Sequence, residues 1–174
     1  MFPSPAAPGP FMREFTHSLT IAAPPAAVLD AFFDSESLAA WWRVKRSLCV
    51  ARPLGVYAVE WDPTEWHDDT FGRLGGAFRG TVIEFKAGRE FFLADLFWLP
   101  PDGDPVGPMA LEATCTQNEN CTTLHIRQSG GEDTPRWSRY YDLIATGFTV
   151  ALEEMKRHLE GKWKDQSGAA AAAR

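Results

Sequence analysis

Phe15, His17, Leu19 and Ile21 alternate with Thr16, Ser18 and Thr20, the period-two pattern of a half-buried strand. Pro24 and Pro25 follow at once. They suit the first turn of a helix, where a missing N–H costs nothing, and Val28, Leu29, Phe32 and Phe33 form that helix's apolar stripe. Ser35 is the expected cap of a second short helix carrying Leu38, Trp41 and Trp42. Strands are predicted over Val44–Ala51 and Val56–Trp61, around a Pro53-Leu54-Gly55 turn, and residues 62–76 read as a polar, Gly-containing loop. The alternation resumes at Ala77–Lys86 and Glu90–Trp98, breaks at the Pro- and Gly-rich loop 100–108, and returns as a hairpin of Met109–Gln117 with Cys121–Gln128. Thr134 and Pro135 then open a long helix. Trp137, Tyr141, Ile144, Phe148, Ala151, Met155 and Leu159 recur every three or four residues along it. With Gly161 as its C-terminal cap the helix would be roughly 38 Å long.

This order predicts an α+β fold: a curved antiparallel sheet wrapped around a long C-terminal helix, with two short helices after the first strand. Such a shape leaves a space between sheet and helix. One domain is expected over residues 13–163, since a chain of 174 residues buries roughly 70% of its unfolded surface. Residues 1–12, which are rich in Pro, and residues 164–174, which contain Ser-Gly followed by five Ala, are expected to be disordered tails.

Composition changes this picture at two points. Seven Trp and twelve Phe exceed what packing alone needs; such an excess either lines a ligand pocket or simply makes a bulky core. The net charge of −6, with Lys and Arg dispersed, argues against binding to nucleic acid through its phosphates and against acidic membrane surfaces. No apolar run reaches membrane-spanning length, and the first residues lack the pattern of a signal peptide, so cytoplasmic residence is expected. Cys115 and Cys121 flank a turn and could face each other across the hairpin. In a reducing cytosol they and Cys49 are expected to be free thiols.

No nucleophile or metal motif is present in the sequence. Glu65-Trp66-His67-Asp68-Asp69 concentrates possible ligands, but consecutive loop residues rarely converge on one ion, so neither a metal nor a cofactor is expected. Two groups are candidates for acid–base chemistry. His17 lies on the apolar phase of the first strand, and Glu84 would have a raised pKa if it faced inward, the alternative being an ion pair with Arg79 or Arg89. Gln128 continues the inward phase of Leu124 and Ile126 and would give a cavity one polar contact.

Four stretches carry a resemblance: Ile21 to Val28, Asp34-Ser35-Glu36-Ser37-Leu38 leading to Trp41-Trp42, Gly80-Thr81-Val82-Ile83-Glu84, and Thr123 to Gly130 before the long helix. Together they resemble the START-like (SRPBCC, helix-grip) superfamily, which includes polyketide cyclases and the major birch-pollen allergen. The likeness is greatest to bacterial stand-alone proteins related to the activator of the heat-shock protein 90 ATPase. Two features depart from the pattern. Leu54 stands where the family's Pro-Gly-Gly has its first glycine, and the acidic stretch 62–70 looks like an insertion near the cavity mouth.

The resemblance implies a fold more firmly than an activity. The leading expectation is non-catalytic binding of a small hydrophobic molecule. Trp41 and Trp42 are expected near the entrance, Tyr57, Val59 and Trp61 on the wall with Gln128, and Tyr141, Ile144 and Phe148 on the helix side. An enzyme of the cyclase or hydrolase kind would need His17 or Glu84 at the cavity. A chaperone-regulating module would need an exposed apolar patch, and the family's two-domain co-chaperones carry an N-terminal domain without a counterpart in these residues.

Overall fold

The computed structural model describes residues 13–173, so the expected tail at 1–12 lies outside the described residues. In chain order the elements are β1 (Glu14–Ile21), α1 (Pro25–Asp30), α2 (Ser35–Trp42), β2 (Arg46–Cys49), β3 (Val56–Trp61), β4 (His67–Asp68) and β5 (Gly72–Arg73). They continue with β6 (Gly76–Lys86), β7 (Glu90–Leu99), β8 (Val106–Asn118), β9 (Cys121–Ser129) and α3 (Pro135–Ala172). Seven strands form one antiparallel sheet in the order β1-β9-β8-β7-β6-β3-β2, and β4 and β5 form a separate two-stranded sheet. The predicted α+β class and order of elements hold.

Sheet curvature has a local cause. The register slips between Arg79 and Thr81, between Val82 and Glu84, and twice in the β7–β8 pairing, and each bulge adds twist. Gly80 sits at the first slip, where a Cβ would lie 2.6 Å from the Leu96 side chain, so only glycine lets the two strands approach. Asp95, at a β7 irregularity, takes a left-handed φ of 50°. The bent sheet closes around α3, and Phe15 of β1 packs on Phe148 of α3 with ring centroids 5.5 Å apart.

Helix ends follow their chemistry with two departures. The α2 cap is Asp34, one residue before the expected Ser35, because its carboxylate reaches the Ser37 N–H at 2.8 Å. Thr134 caps α3 as expected, accepting from the Trp137 N–H. That helix does not stop at Gly161. It runs on to Ala172 through the stretch read as a disordered tail, because Gly161 keeps helical backbone angles and the alanines that follow are strong helix formers. Residues 161–173 are all exposed, and beyond Gln166, the last of them to line a hollow against α1 and α2, local propensity maintains the helix. The loop 62–76 also contains more structure than its polarity announced, since β4 and β5 pair within it.

The aromatic side chains divide into two groups. Phe32, Phe33, Tyr57, Phe85 and Phe91 pack edge to face beneath α1 and α2, with centroids 5.1–5.5 Å apart, and make a solid core. The second group surrounds an open space between the sheet and the first half of α3. The three cysteines are free, and the register sets Cys115 against Leu124 and Cys121 against Asn118 rather than opposite each other. Among the described residues no helix is long and apolar enough to cross a membrane.

Candidate functional site: an aromatic cavity between sheet and helix

The open space is a cavity of about 640 Å³. The sheet side supplies Trp61 of β3, Phe78 of β6, Trp98 of β7 and Leu111 of β8. On the other side α3 contributes Tyr140, Leu143, Ile144, Gly147 and Phe148, five positions spaced three and four apart that form one stripe of the helix. The indole N–H groups are turned away into backbone. Trp61 donates to the Trp42 carbonyl and Trp98 to the Gly75 carbonyl, both at 2.8 Å, which leaves carbon surface toward the cavity.

Trp42 is held on both faces. It stacks on Trp41 at 4.9 Å and on Phe148 at 5.3 Å, while Trp61 meets it edge-on at 5.0 Å. It is a fixed plank of the wall and not a gate. The polar groups fall in two places. At the floor, the Gln128 side chain of β9 donates to the Tyr140 hydroxyl. At the mouth lie Arg43, which ends α2 in a left-handed conformation, and Lys45, 3.5 Å from Asp62.

The rim beside Asp62 is built from the β4–β5 sheet. Asp68, whose side chain is 2% exposed, accepts from the Thr70 and Phe71 N–H groups and from Arg139 of α3 at 2.7 Å. Burial works against the Asp68 charge, but the Arg139 bond and the two backbone donors outweigh it and hold the carboxyl below its ordinary range. Asp102 accepts two bonds from the Arg73 guanidinium and one from the Arg73 N–H, which pull it down to about 2. Thr64 and Gly75, which flank this small sheet, line the cavity. The insertion-like stretch therefore reaches the mouth, and its buried acid serves as a fastening to α3.

Of the residues expected to form a binding wall, Trp42, Trp61, Gln128, Ile144 and Phe148 do line this space. Trp41, Tyr57, Val59 and Tyr141 do not. Trp41 lies behind Trp42 with its N–H on the Ala31 carbonyl, and Tyr57 and Val59 are wholly buried in the solid core. Tyr141 donates to the Gly130 carbonyl, and burial pushes its phenol up to about 12. The sequence reading overlooked Tyr140, Leu143 and Gly147. Their spacing from Phe148 was the available signal, masked by the equally regular stripe through Tyr141.

Neither acid–base candidate is on the cavity wall. Glu84 is exposed on the outer surface and pairs with Lys86 at 2.6 Å, not with Arg79 or Arg89. His17 stacks on Phe15 at 6.2 Å, and its buried Nε2 has no hydrogen-bond partner among the described residues. A second hollow of about 530 Å³ lies between α1, α2 and the end of α3, with Asp30, Asp34 and Lys162 among its lining. Its mixed lining and its partly exposed Trp163 make it the less suited of the two to enclose an apolar molecule.

No known family's sequence profile matches the chain, and no curated protein matches it. Solved structures do. A protein of Rhodobacter sphaeroides superposes with a TM-score of 0.67 at 16% identity, over 89% of this chain and 97% of that one. One from Chromobacterium violaceum gives 0.59 at 23% identity, over 85% and 98%. The Aha1 dimer of Colwellia psychrerythraea gives 0.60 at 16% identity, over 86% and 97%. At these identities the likeness is one of fold alone: an antiparallel sheet closed around a long C-terminal helix, with two short helices after the first strand.

Proposed function

We propose that the protein binds a small hydrophobic molecule in the cavity between the sheet and α3, without transforming it, and does so in the cytoplasm. The observation that supports this is the site itself: about 640 Å³ of space with aromatic walls, two polar groups at its floor and a charged rim at its mouth. That size and composition suit a drug-sized apolar ligand. The two groups that an acid–base mechanism would use lie elsewhere, so the carrier reading rests on the residues that are there.

Affinity for an unselected ligand can be bounded. Burying about 400 Å² of apolar surface contributes about 10 kcal/mol. Association costs at least about 4 kcal/mol of this, which leaves a dissociation constant of about tens of micromolar. Titration with 1-anilinonaphthalene-8-sulfonate should then change tryptophan emission saturably in that range. Gly147 offers the control. A Cβ placed there meets no atom within 4 Å, and the residue lines the cavity. Gly147→Trp should place a large side chain in the space and weaken dye binding about tenfold or more while the protein stays folded. Dye binding that ignores this plug would place the dye elsewhere. An absence of saturable binding to the unaltered protein would move the reading to a module that acts through its surface.

A further inference from the structure

The cavity floor carries a polar pair whose hydrogen bonding is incomplete. Gln128 and Tyr140 are each 3% exposed, and both line the cavity. The Gln128 Nε2 donates to the Tyr140 oxygen and lies 3.1 Å from the Met109 sulfur. A primary amide offers two donors and a carbonyl oxygen, and a phenol both donates and accepts. In this arrangement the Tyr140 proton and the Gln128 Oε1 engage no group among the described residues. Turning the amide over reverses the roles. Tyr140 then donates to Oε1, and the amide N–H groups lose the phenol as acceptor. In either orientation the floor retains at least one donor without a strong acceptor. Burial pushes the Tyr140 phenol far above its ordinary range, so the hydroxyl keeps its proton. A desolvated donor left unmade is costly, which makes the floor more complete with an acceptor against it than without one.

We propose that the Gln128–Tyr140 pair sets the specificity of the cavity, selecting apolar molecules that carry one oxygen acceptor, a carbonyl or hydroxyl, at their buried end over hydrocarbons of the same shape. This rests on the cavity-binding reading above. A site built to bond a polar group rejects the analogue that lacks it, because its own buried groups then go unpaired. The aromatic wall alone would not discriminate in this way. It contributes through apolar area, which the two kinds of molecule share.

The test compares 9-fluorenone with fluorene, which share a three-ring skeleton and differ in one carbonyl, each displacing 1-anilinonaphthalene-8-sulfonate. The unaltered protein should prefer 9-fluorenone by about tenfold, the factor expected of one hydrogen bond in a desolvated site. In the double variant Gln128→Met/Tyr140→Phe, which removes every donor of the pair, the preference should fall to within about twofold, whereas either single substitution leaves a donor on the floor and should retain a preference for 9-fluorenone. Circular dichroism and cooperative thermal unfolding establish that the double variant is folded. If Gln128→Met/Tyr140→Phe does not fold, Gln128→Leu/Tyr140→Phe, which also removes both donors, decides. Equal binding of the two compounds to the unaltered protein, or an undiminished preference in a folded double variant, overturns this inference and leaves the cavity reading standing. Failure of both compounds and the dye to bind overturns the two together.

Discussion

Tyr57 is wholly buried, and its hydroxyl has no partner among the described residues. Burial, with Cys49 close by, pushes its phenol far above the ordinary range, so the group is neutral and its dipole unanswered. Tyr57→Phe removes the dipole and keeps the ring against Phe33. It should therefore stabilise the fold by up to about 1 kcal/mol, seen as a higher urea midpoint at an unchanged slope. A loss of that size instead would reveal a trapped water bonded to the hydroxyl. Leu54 is a second residue at odds with its place. It is 82% exposed and adopts a left-handed φ of 60°, at the position where the resembled family has glycine. Leu54→Gly gives up no packing and relieves the backbone, so a gain of about 0.5–1 kcal/mol is expected from thermal unfolding. No gain would mean that the added freedom of glycine in the unfolded chain cancels the relief.

At the scale of elements, what could be read from the sequence depended on whether a pattern has one solution. Phe15, Leu19 and Ile21 alternate with polar residues over a full strand, and that strand forms with those side chains buried. The long helix was equally legible as an element, but its orientation was not. Tyr140 and Tyr141 are both buried, so the apolar arc is wide and two stripes fit it. One stripe runs through Trp137 and Tyr141 and the other through Tyr140, Leu143 and Gly147; they share Ile144 and Phe148, and it is the second that faces the cavity. Which aromatic residues line a space and which fill one is decided by tertiary packing. Tyr57 and Trp61 share a phase of β3, yet one is core and the other is cavity wall. Phe148 belongs to both groups, being 7% exposed, stacked on Trp42 and lining the cavity. Phe148→Ala should cost about 3 kcal/mol, the low end for a buried phenylalanine, because the lost volume joins an existing space. A cost below about 1 kcal/mol would show that the stack from Trp41 to Phe15 closes without it.

For the molecule as a whole, the small β4–β5 sheet joins the sheet, the cavity mouth and α3 through carboxylates, and this gives stability a defined response to acid. Asp68 fastens the small sheet to Arg139, and Asp102 fastens it to the loop after β7 through Arg73. Both carboxyls have folded pKa values below their ordinary ones, Asp102 at about 2. A group depressed in this way contributes stability fully above its unfolded pKa, near 4 for Asp, and loses it as the pH falls through the folded value. These two groups should therefore leave the melting temperature flat above about pH 5 and lower it progressively from about pH 4 downward. Asp68→Asn keeps an acceptor for the Thr70 and Phe71 N–H groups but cannot titrate. It should begin from a lower melting temperature at pH 7 and fall less steeply in acid than the unaltered protein. Trp98 packs on Phe71 beside this sheet, with ring centroids 5.1 Å apart, so its emission should report the loosening as the acid limb is entered. An acid limb of the same slope in Asp68→Asn would place the acid-sensitive contacts elsewhere in the fold and would detach the cavity mouth from them.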